Sequence, residues 1–214
     1  MMSRDNEATF AGLGKARIEG LTDGIFSTVM TVLVLSLSVP LITSGQVNTK
    51  LLIDLESLWP NFVAYVVSFV VLGVYWVGHH SMFHFIKRTN RAILWINMIF
   101  LLCIGLIPFS TAMIGRYSGE QIAVVAYGAN LTAAGVALNA CWMYATHNRR
   151  LVAKDLDVRI IKLVRRRIIV GPLICLIGII VSFFNTEISL VLYGAMPIFY
   201  ILPGKIDVHF THPH

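Results

Sequence analysis

A cation and two carboxylates lie at the start of the first long apolar segment of this chain. Arg17, Glu19 and Asp23 precede a run without charged residues from 24 to 49. Ionisable groups at the edge of a hydrocarbon layer are costly unless they are paired, buried in protein or in contact with water. This arrangement therefore favours a helix that lines a polar path over a simple membrane anchor.

Residues of mixed polarity follow this charged cluster at helical spacing. Thr28, Thr31, Val32 and Leu35 fall on one stripe of an α-helix, as expected of a helix facing the axis of a symmetric bundle. One interpretation of the stripe is a pore wall. The other is that the hydroxyls donate to carbonyl oxygens of their own helix, or that small residues allow helices to pack closely. The residues alone leave both interpretations open.

The composition indicates that the whole chain is a polytopic membrane protein. Of its 214 residues, 57% are hydrophobic and 13% are charged, whereas about a quarter of the residues of a soluble domain are charged. A helix needs roughly 17 to 20 apolar residues to cross a bilayer. Six runs without charge reach this range: 24–49, 57–86, 92–115, 121–148, 168–186 and 188–204. We predict an all-α fold with six transmembrane helices, the last two joined by a tight turn at 185–187.

The basic residues predict the orientation of these helices. Of the 17 Lys and Arg residues, all except Lys50 and Arg116 fall before the first run, after the second, after the fourth or after the sixth. The positive-inside rule places these segments, and both termini, in the cytoplasm. The predicted regions are a cytoplasmic segment 1–16, a transmembrane domain 17–204 with a basic cytoplasmic loop at 149–167, and a cytoplasmic tail 205–214.

The same distribution accounts for the net charge of +6 without a nucleic-acid partner. The basic loop at 149–167 reads as an amphipathic helix at the membrane surface, where it meets anionic lipid headgroups. Tryptophans near the ends of the runs are predicted to lie at the membrane interface: Trp59, Trp95 and Trp142.

Catalytic and metal-binding motifs are weak in this sequence. His80 and His84 have the i, i+4 spacing of a zinc pair, but no HExxH motif surrounds them, so we predict no metal site and no cofactor. A membrane enzyme would need a nucleophile or metal constellation on one face. The chain is therefore predicted not to be an enzyme.

Several motifs, in order, resemble the transmembrane protein 175 family of potassium channels. The segment Arg17-Ile-Glu-Gly-Leu21-Thr22-Asp23 is similar to the Arg-x-x-x-Phe-Ser-Asp signature of that family, and the residues up to Leu35 continue it. Further similar segments are Tyr75-Trp76-Val-Gly-His79-His80-Ser-Met-Phe83, Leu94-Trp95-Ile-Asn97 and Leu106-Ile-Pro108-Phe109-Ser-Thr111. The resemblance covers about 17–115.

The resemblance implies a prokaryotic six-helix subunit in the plasma membrane that assembles as a homotetramer around a central pore. The first helix of each subunit would line this pore and conduct monovalent cations passively, with a preference for potassium as the permeant ion. The chain has no TVGYG loop, so selectivity would come from side chains rather than from carbonyl oxygens. Carried over by position, the pore layers are Thr28, Val32 and Leu35, with Thr31 as an adjacent hydroxyl ring; Thr28 stands where the family usually has a bulky aliphatic residue.

The resemblance also assigns three residues at the start of the first helix to an intrasubunit hydrogen-bond network. Arg17, Thr22 and Asp23 would contact polar residues of neighbouring helices, such as Trp76, His79 or Asn97. An alternative function remains open, in which Asp23 and the histidines relay protons in a proton pathway or a proton-coupled cation transporter.

Overall fold

The described residues of the computed structural model are 4–40, 42 and 47–201, with side chains from Gly14 onward except at 47–49. Eight α-helices and a 3₁₀ turn at Leu33–Ser36 account for most of these residues. The helices are α1 (Arg4–Val32), α2 (Val47–Ser57), α3 (Trp59–Phe85), α4 (Arg91–Gly105), α5 (Ile107–Arg116), α6 (Gln121–Thr146), α7 (Val158–Ser182) and α8 (Thr186–Ile201). Within the described ranges there is no β-strand, only an isolated bridge between Ile86 and Val152. The predicted all-α fold is confirmed.

Among the described residues, four helical segments are long and apolar enough to cross a membrane: Gly14–Ser36, Trp59–Phe85, Arg91–Arg116 and Gln121–Arg149. Helix α7 has 25 residues, but cations are concentrated in its first half, and α8 has 16 apolar residues. The chain is thus a membrane protein with several spanning helices, and the count of six stays a prediction.

The first apolar run does not form the single helix that the sequence predicted. Helix α1 ends at Val32, the 3₁₀ turn ends at Ser36, and α2 begins separately at Val47. Pro40 lies in the intervening segment, and a proline disfavours helical conformation of the residue before it. Pro108 has a related effect in the third run, because it lies in the first turn of α5, directly after the break at Leu106.

The last three helices pack closely where glycines lie at their crossings. Helix α6 packs against α4 and α7, and α8 packs against α7. A Cβ atom at Gly135 of α6 would overlap the ring of Pro172 in α7, and one at Gly178 of α7 would overlap the ring of Tyr193 in α8. Small residues let membrane helices approach until their backbones almost touch, so these glycines set the helix spacing.

One predicted interface residue is instead part of the core. Trp59 and Trp95 are 65% and 62% exposed, but Trp142 is 0% exposed. The Trp142 indole N–H donates to the carbonyl oxygen of Ile161 at 3.1 Å. The prediction for Trp142 is wrong because α7 packs over that end of α6.

The predicted segments outside the spans are only partly described. Residues of the segment 1–16 belong to α1 from Arg4 onward, whereas the tail 205–214 lies outside the described residues. In the loop 149–167 the helix begins only at Val158 and continues without a break to Ser182. The turn predicted at 185–187 instead lies at 183–185, between the end of α7 at Ser182 and the start of α8 at Thr186, and the Asn185 side chain accepts a hydrogen bond from the Ile188 N–H at 3.0 Å.

Candidate functional site

Helix α1 and the 3₁₀ turn bury one continuous stripe against the rest of the chain. Its members recur every three or four residues: Ile18, Thr22, Phe26, Val29 and Leu33. Helix α1 packs on α3 and α4, and the 3₁₀ turn packs on α5. This periodicity fixes the rotation of the helix about its axis.

The four residues predicted to line a pore lie on the other side of this segment. Thr28 and Thr31 are exposed, and Val32 and Leu35 are 41% and 76% exposed. At about 100° per residue these positions lie roughly 80° to 180° from the centre of the buried stripe. The described helices of the chain therefore leave this face uncovered.

Both threonine hydroxyls on the exposed face donate to their own helix. The Thr28 hydroxyl donates to the Gly24 carbonyl oxygen at 2.8 Å, and the Thr31 hydroxyl donates to the Ser27 carbonyl oxygen at 2.8 Å. A hydroxyl has a single proton and two lone pairs. With the proton used inside the helix, each oxygen presents acceptor capacity on the exposed side, which suits a cation and not an anion.

The 3₁₀ turn changes the position of Leu35 relative to a continuous α-helix. The turn spans Leu33–Ser36 and follows Val32 directly. In 3₁₀ geometry the side chains at i and i+3 eclipse each other along the axis. Leu35 therefore lies in line with Val32, and the two side chains form a continuous apolar patch beyond the threonines.

A buried chain of three polar side chains connects α1, α4 and α3. The Asn97 side-chain N–H donates to the Thr22 hydroxyl oxygen at 3.2 Å, and the Asn97 side-chain oxygen accepts from His79 Nε2 at 3.0 Å. Thr22, Asn97 and His79 are 1%, 1% and 3% exposed. The His79 ring also stacks between Phe83 and Phe100, with ring centroids 4.2 Å and 5.6 Å away. Buried polar groups without partners are costly, so these two hydrogen bonds fix how the three helices fit together.

Asp23 accepts a hydrogen bond from α3, next to the hydrogen-bonded residues Thr22, Asn97 and His79. The Trp76 indole N–H donates to an Asp23 carboxylate oxygen at 2.8 Å, and the Trp76 ring stacks on His80 with centroids 5.8 Å apart. Arg17 is exposed and makes no hydrogen bond or ion pair with any described side chain. The structure thus joins Thr22 to Asn97 and His79, and Asp23 to Trp76. Arg17 makes no described contact of this kind with them.

The histidine pair at zinc-ligand spacing gains no third ligand within the described residues. No group of three or more His, Cys, Asp or Glu side chains that could hold a metal ion occurs in that part of the chain. His80 is exposed and stacks on Trp76. The described geometry offers no support for a metal centre at His80 and His84.

A second buried polar cluster escaped the sequence analysis. The Thr111 hydroxyl donates to the Ser68 hydroxyl oxygen at 2.8 Å, and the Ser68 and Tyr127 hydroxyl oxygens lie 2.9 Å apart. All three residues are buried, and they join α3, α5 and α6. Hydroxyl side chains occur at several positions of each apolar run, and Thr111 was noted only as part of a motif, so the sequence did not identify these partners.

Comparison with known proteins shows which family this chain resembles. The family described as the endosomal/lysosomal potassium channel TMEM175 matches residues 17–108. A potassium channel of Chamaesiphon minutus is 30% identical over 193 residues, covering 87% of this chain and 93% of that protein. The chain belongs to the TMEM175 family. This family consists of ion channels, so the protein is a channel protein and not an enzyme.

Structural comparison agrees with the sequence match to TMEM175. The crystal structure of a lysosomal potassium-selective channel TMEM175 homolog from Chamaesiphon minutus superposes with a TM-score of 0.77 at 28% identity, covering 88% of this chain and 97% of that one. The human endosomal/lysosomal proton channel TMEM175 is 30% identical over 103 residues, which cover 46% of this chain and 20% of the human protein. The names of these relatives include both potassium and proton channels.

Proposed function

We propose that this chain is one subunit of a potassium-preferring cation channel whose pore is lined by the exposed face of α1. The observation that carries the proposal is the division of α1 into a face buried in its own subunit and a face left uncovered. Thr28, Thr31, Val32 and Leu35 all lie on the uncovered face. Four copies related by a central axis would turn these faces toward each other, and a homotetramer is the proposed assembly.

Two kinds of surface follow each other along this proposed pore. The hydroxyl oxygens of Thr28 and Thr31 offer acceptors to a partly dehydrated cation, because their protons are used within the helix. Val32 and Leu35 then form an apolar constriction. Hydrophobic constrictions gate pores by dewetting, and side chains of this kind would supply selectivity in place of a carbonyl filter.

The carboxylate of Asp23 would enrich cations at one entrance of the pore. Its hydrogen bond to the Trp76 indole, 2.8 Å long, fixes its position against α3, five residues before Thr28. A fixed negative charge at the mouth of a narrow path raises the local cation concentration.

The proposed topology has six spans with both termini in the cytoplasm of a prokaryotic cell. The basic residues support this orientation, because two cation-rich loops meet at one end of the helices. The Lys87 N–H, between α3 and α4, donates to the Leu151 carbonyl oxygen, between α6 and α7, at 2.8 Å. With this end in the cytoplasm, the orientation agrees with the positive-inside rule.

The experiment that tests the proposal is a reversal-potential measurement in planar bilayers with potassium on one side and sodium on the other. Leu35→Ala would widen the apolar constriction and move the reversal potential toward zero, by about 59 mV for a tenfold fall in the permeability ratio. Leu102→Ala is the matched control, because Leu102 lies on α4 and is 65% exposed against 76% for Leu35. An unchanged reversal potential for Leu35→Ala, or the same shift in both variants, would contradict the proposal that this face forms the selectivity filter.

A proton pathway is the second candidate function, since the human relative is named a proton channel. The hydrogen bonds from Thr22 through Asn97 to His79 connect α1 to the buried sides of α4 and α3. Polar side chains of this kind are the usual parts of proton relays within membranes. A reversal potential that follows an imposed pH gradient and ignores the potassium gradient would decide for this function.

A further inference from the structure

Two cation-rich loops are held together at one end of the helices. The α3–α4 loop and the start of α4 carry Lys87, Arg88 and Arg91, and the α6–α7 loop carries Arg149, Arg150 and Lys154. We call these six residues the basic loop pair. The Leu151 carbonyl oxygen accepts hydrogen bonds from both the Lys87 and the Arg88 N–H, at 2.8 and 3.2 Å. Leu151 is 4% exposed, so the junction is anchored in the core.

The charges of the basic loop pair are accessible. Five of its side chains are exposed and Arg149 is half-buried. Among the described side chains, none of the six forms an ion pair with a carboxylate. The nearby Asp157 side chain instead accepts a hydrogen bond from the Arg159 N–H at 2.8 Å, at the start of α7. The positive charge is therefore available to a ligand that carries phosphate.

The α6–α7 loop has a defined shape, since its polar groups contact each other. Asn148 and Arg149 have φ of 50° and 52°, a left-handed conformation that is unfavourable for arginine. The Arg149 guanidinium donates to the Lys154 carbonyl oxygen across the loop. The Arg150 guanidinium lies 4.7 Å from the ring centre of Tyr144. These contacts hold the loop in a folded form, which lowers the entropy lost when a ligand binds.

The basic loop pair also connects to the start of α4. The Asn90 side-chain N–H donates to the Tyr144 hydroxyl at 2.9 Å, and the Asn90 side-chain oxygen caps α4 by accepting from the Ile93 N–H at 3.1 Å. Both loops are thus joined by side chains as well as by the Leu151 carbonyl oxygen. The six cations consequently form one surface and not two independent ones.

We propose that the basic loop pair is a binding site for the phosphate headgroup of an anionic phospholipid. The site lies at the ends of α3, α4 and α6, at the depth where a bilayer has its headgroups. Clusters of four to eight cations directly beside membrane helices attract anionic lipids. The neighbouring α7 residues Val158 and Leu163 are 48% and 38% exposed, and such apolar side chains suit contact with a membrane more than contact with a free solute.

The test is native mass spectrometry of the detergent-solubilised full chain titrated with dioctanoyl phosphatidylglycerol. The test variant is Lys87→Gln/Lys154→Gln, because both side chains are exposed and neither supports the loop. The matched control is Lys50→Gln/Arg116→Gln, which removes the same charge from two exposed cations outside the loop pair. Removal of each cation should raise the dissociation constant about fivefold. We therefore expect binding to weaken about 25-fold in the test variant and to stay unchanged in the control.

Each other outcome would contradict the proposal. An equal loss of affinity in both double variants would indicate attraction by total charge only. Equal binding of dioctanoyl phosphatidylcholine would remove the requirement for an anionic headgroup, and equally strong binding of inorganic phosphate would identify a site for soluble anions. The titration involves no ion current, so its result does not depend on whether the chain conducts potassium or protons.

Discussion

Thr22 and Asn97 should be energetically coupled through their hydrogen bond, and a double-mutant cycle measures this coupling free energy. Thr22→Val preserves the side-chain shape and leaves the Asn97 amide N–H unpaired in a site that is 1% exposed. An unpaired buried donor costs about 1–3 kcal/mol. Asn97→Leu leaves both the Thr22 hydroxyl oxygen and His79 Nε2 without the partner that Asn97 provides. We expect a loss of about 1–2 kcal/mol for Thr22→Val and about 1–3 kcal/mol for Asn97→Leu.

In the double variant both partners of the 3.2 Å hydrogen bond are absent. Its loss of stability should therefore be smaller than the sum of the two single losses by about 0.6 kcal/mol, the average coupling measured between membrane helices, with about 1.7 kcal/mol as the largest value. The assay is reversible unfolding in mixed micelles with increasing dodecyl sulfate, followed by circular dichroism. Thr28→Val is the control, because its exposed hydroxyl bonds only within its own helix, and we expect a change within about 0.5 kcal/mol. Losses that add within about 0.5 kcal/mol would refute the network.

Two further substitutions test helix packing and the pore entrance. Gly178→Ala places a Cβ against the ring of Tyr193 and should lower the free energy of unfolding by about 1–3 kcal/mol. Gly105→Ala is the control and should not lower it, because no atom lies within 4 Å of a Cβ at that position. Equal unfolding midpoints of the two variants in the same assay would contradict the close crossing of α7 and α8. Trp76→Phe removes the 2.8 Å hydrogen bond to Asp23 and should reduce potassium conductance at low ionic strength more than at high, because salt screens a charge at the entrance. A reduction independent of salt in single-channel recordings would show that Asp23 does not act through its charge.

The sequence allowed prediction of features that depend on local pattern. Charge-free runs identified the apolar helices, and the helical spacing of Thr28, Val32 and Leu35 placed them on one face. The contact between Asn97 and Thr22 joins residues 75 positions apart, and no periodicity predicts such a pair. It was anticipated only through the motifs shared with the TMEM175 family, which also included Arg17, a residue without a described partner.

Other features depended on packing that a single chain's pattern does not encode. Trp142 has the position of an interface residue in the sequence, but α7 covers it, so burial depends on which helix becomes its neighbour. The same limitation applies to Ser68 and Thr111, because no pattern in the sequence pairs their hydroxyls and only the packing of α3 on α5 brings them together. The end of α1 at Val32 was missed because the absence of charge from 24 to 49 identifies an apolar segment without locating the end of its helix.

The strongest argument for a hydrated environment beside α1 comes from Asp23 rather than from the threonines. A threonine whose hydroxyl donates to its own helix is tolerated in lipid, and an exposed Leu35 is equally compatible with lipid. An ionised carboxylate is not, because charge within the hydrocarbon layer is costly unless it is paired or hydrated. Asp23 is exposed, its described hydrogen bond comes from the neutral indole of Trp76, and Arg17 does not neutralise it within the described structure. Asp23 is therefore best accommodated in a hydrated environment, as expected of a residue near one mouth of the proposed pore.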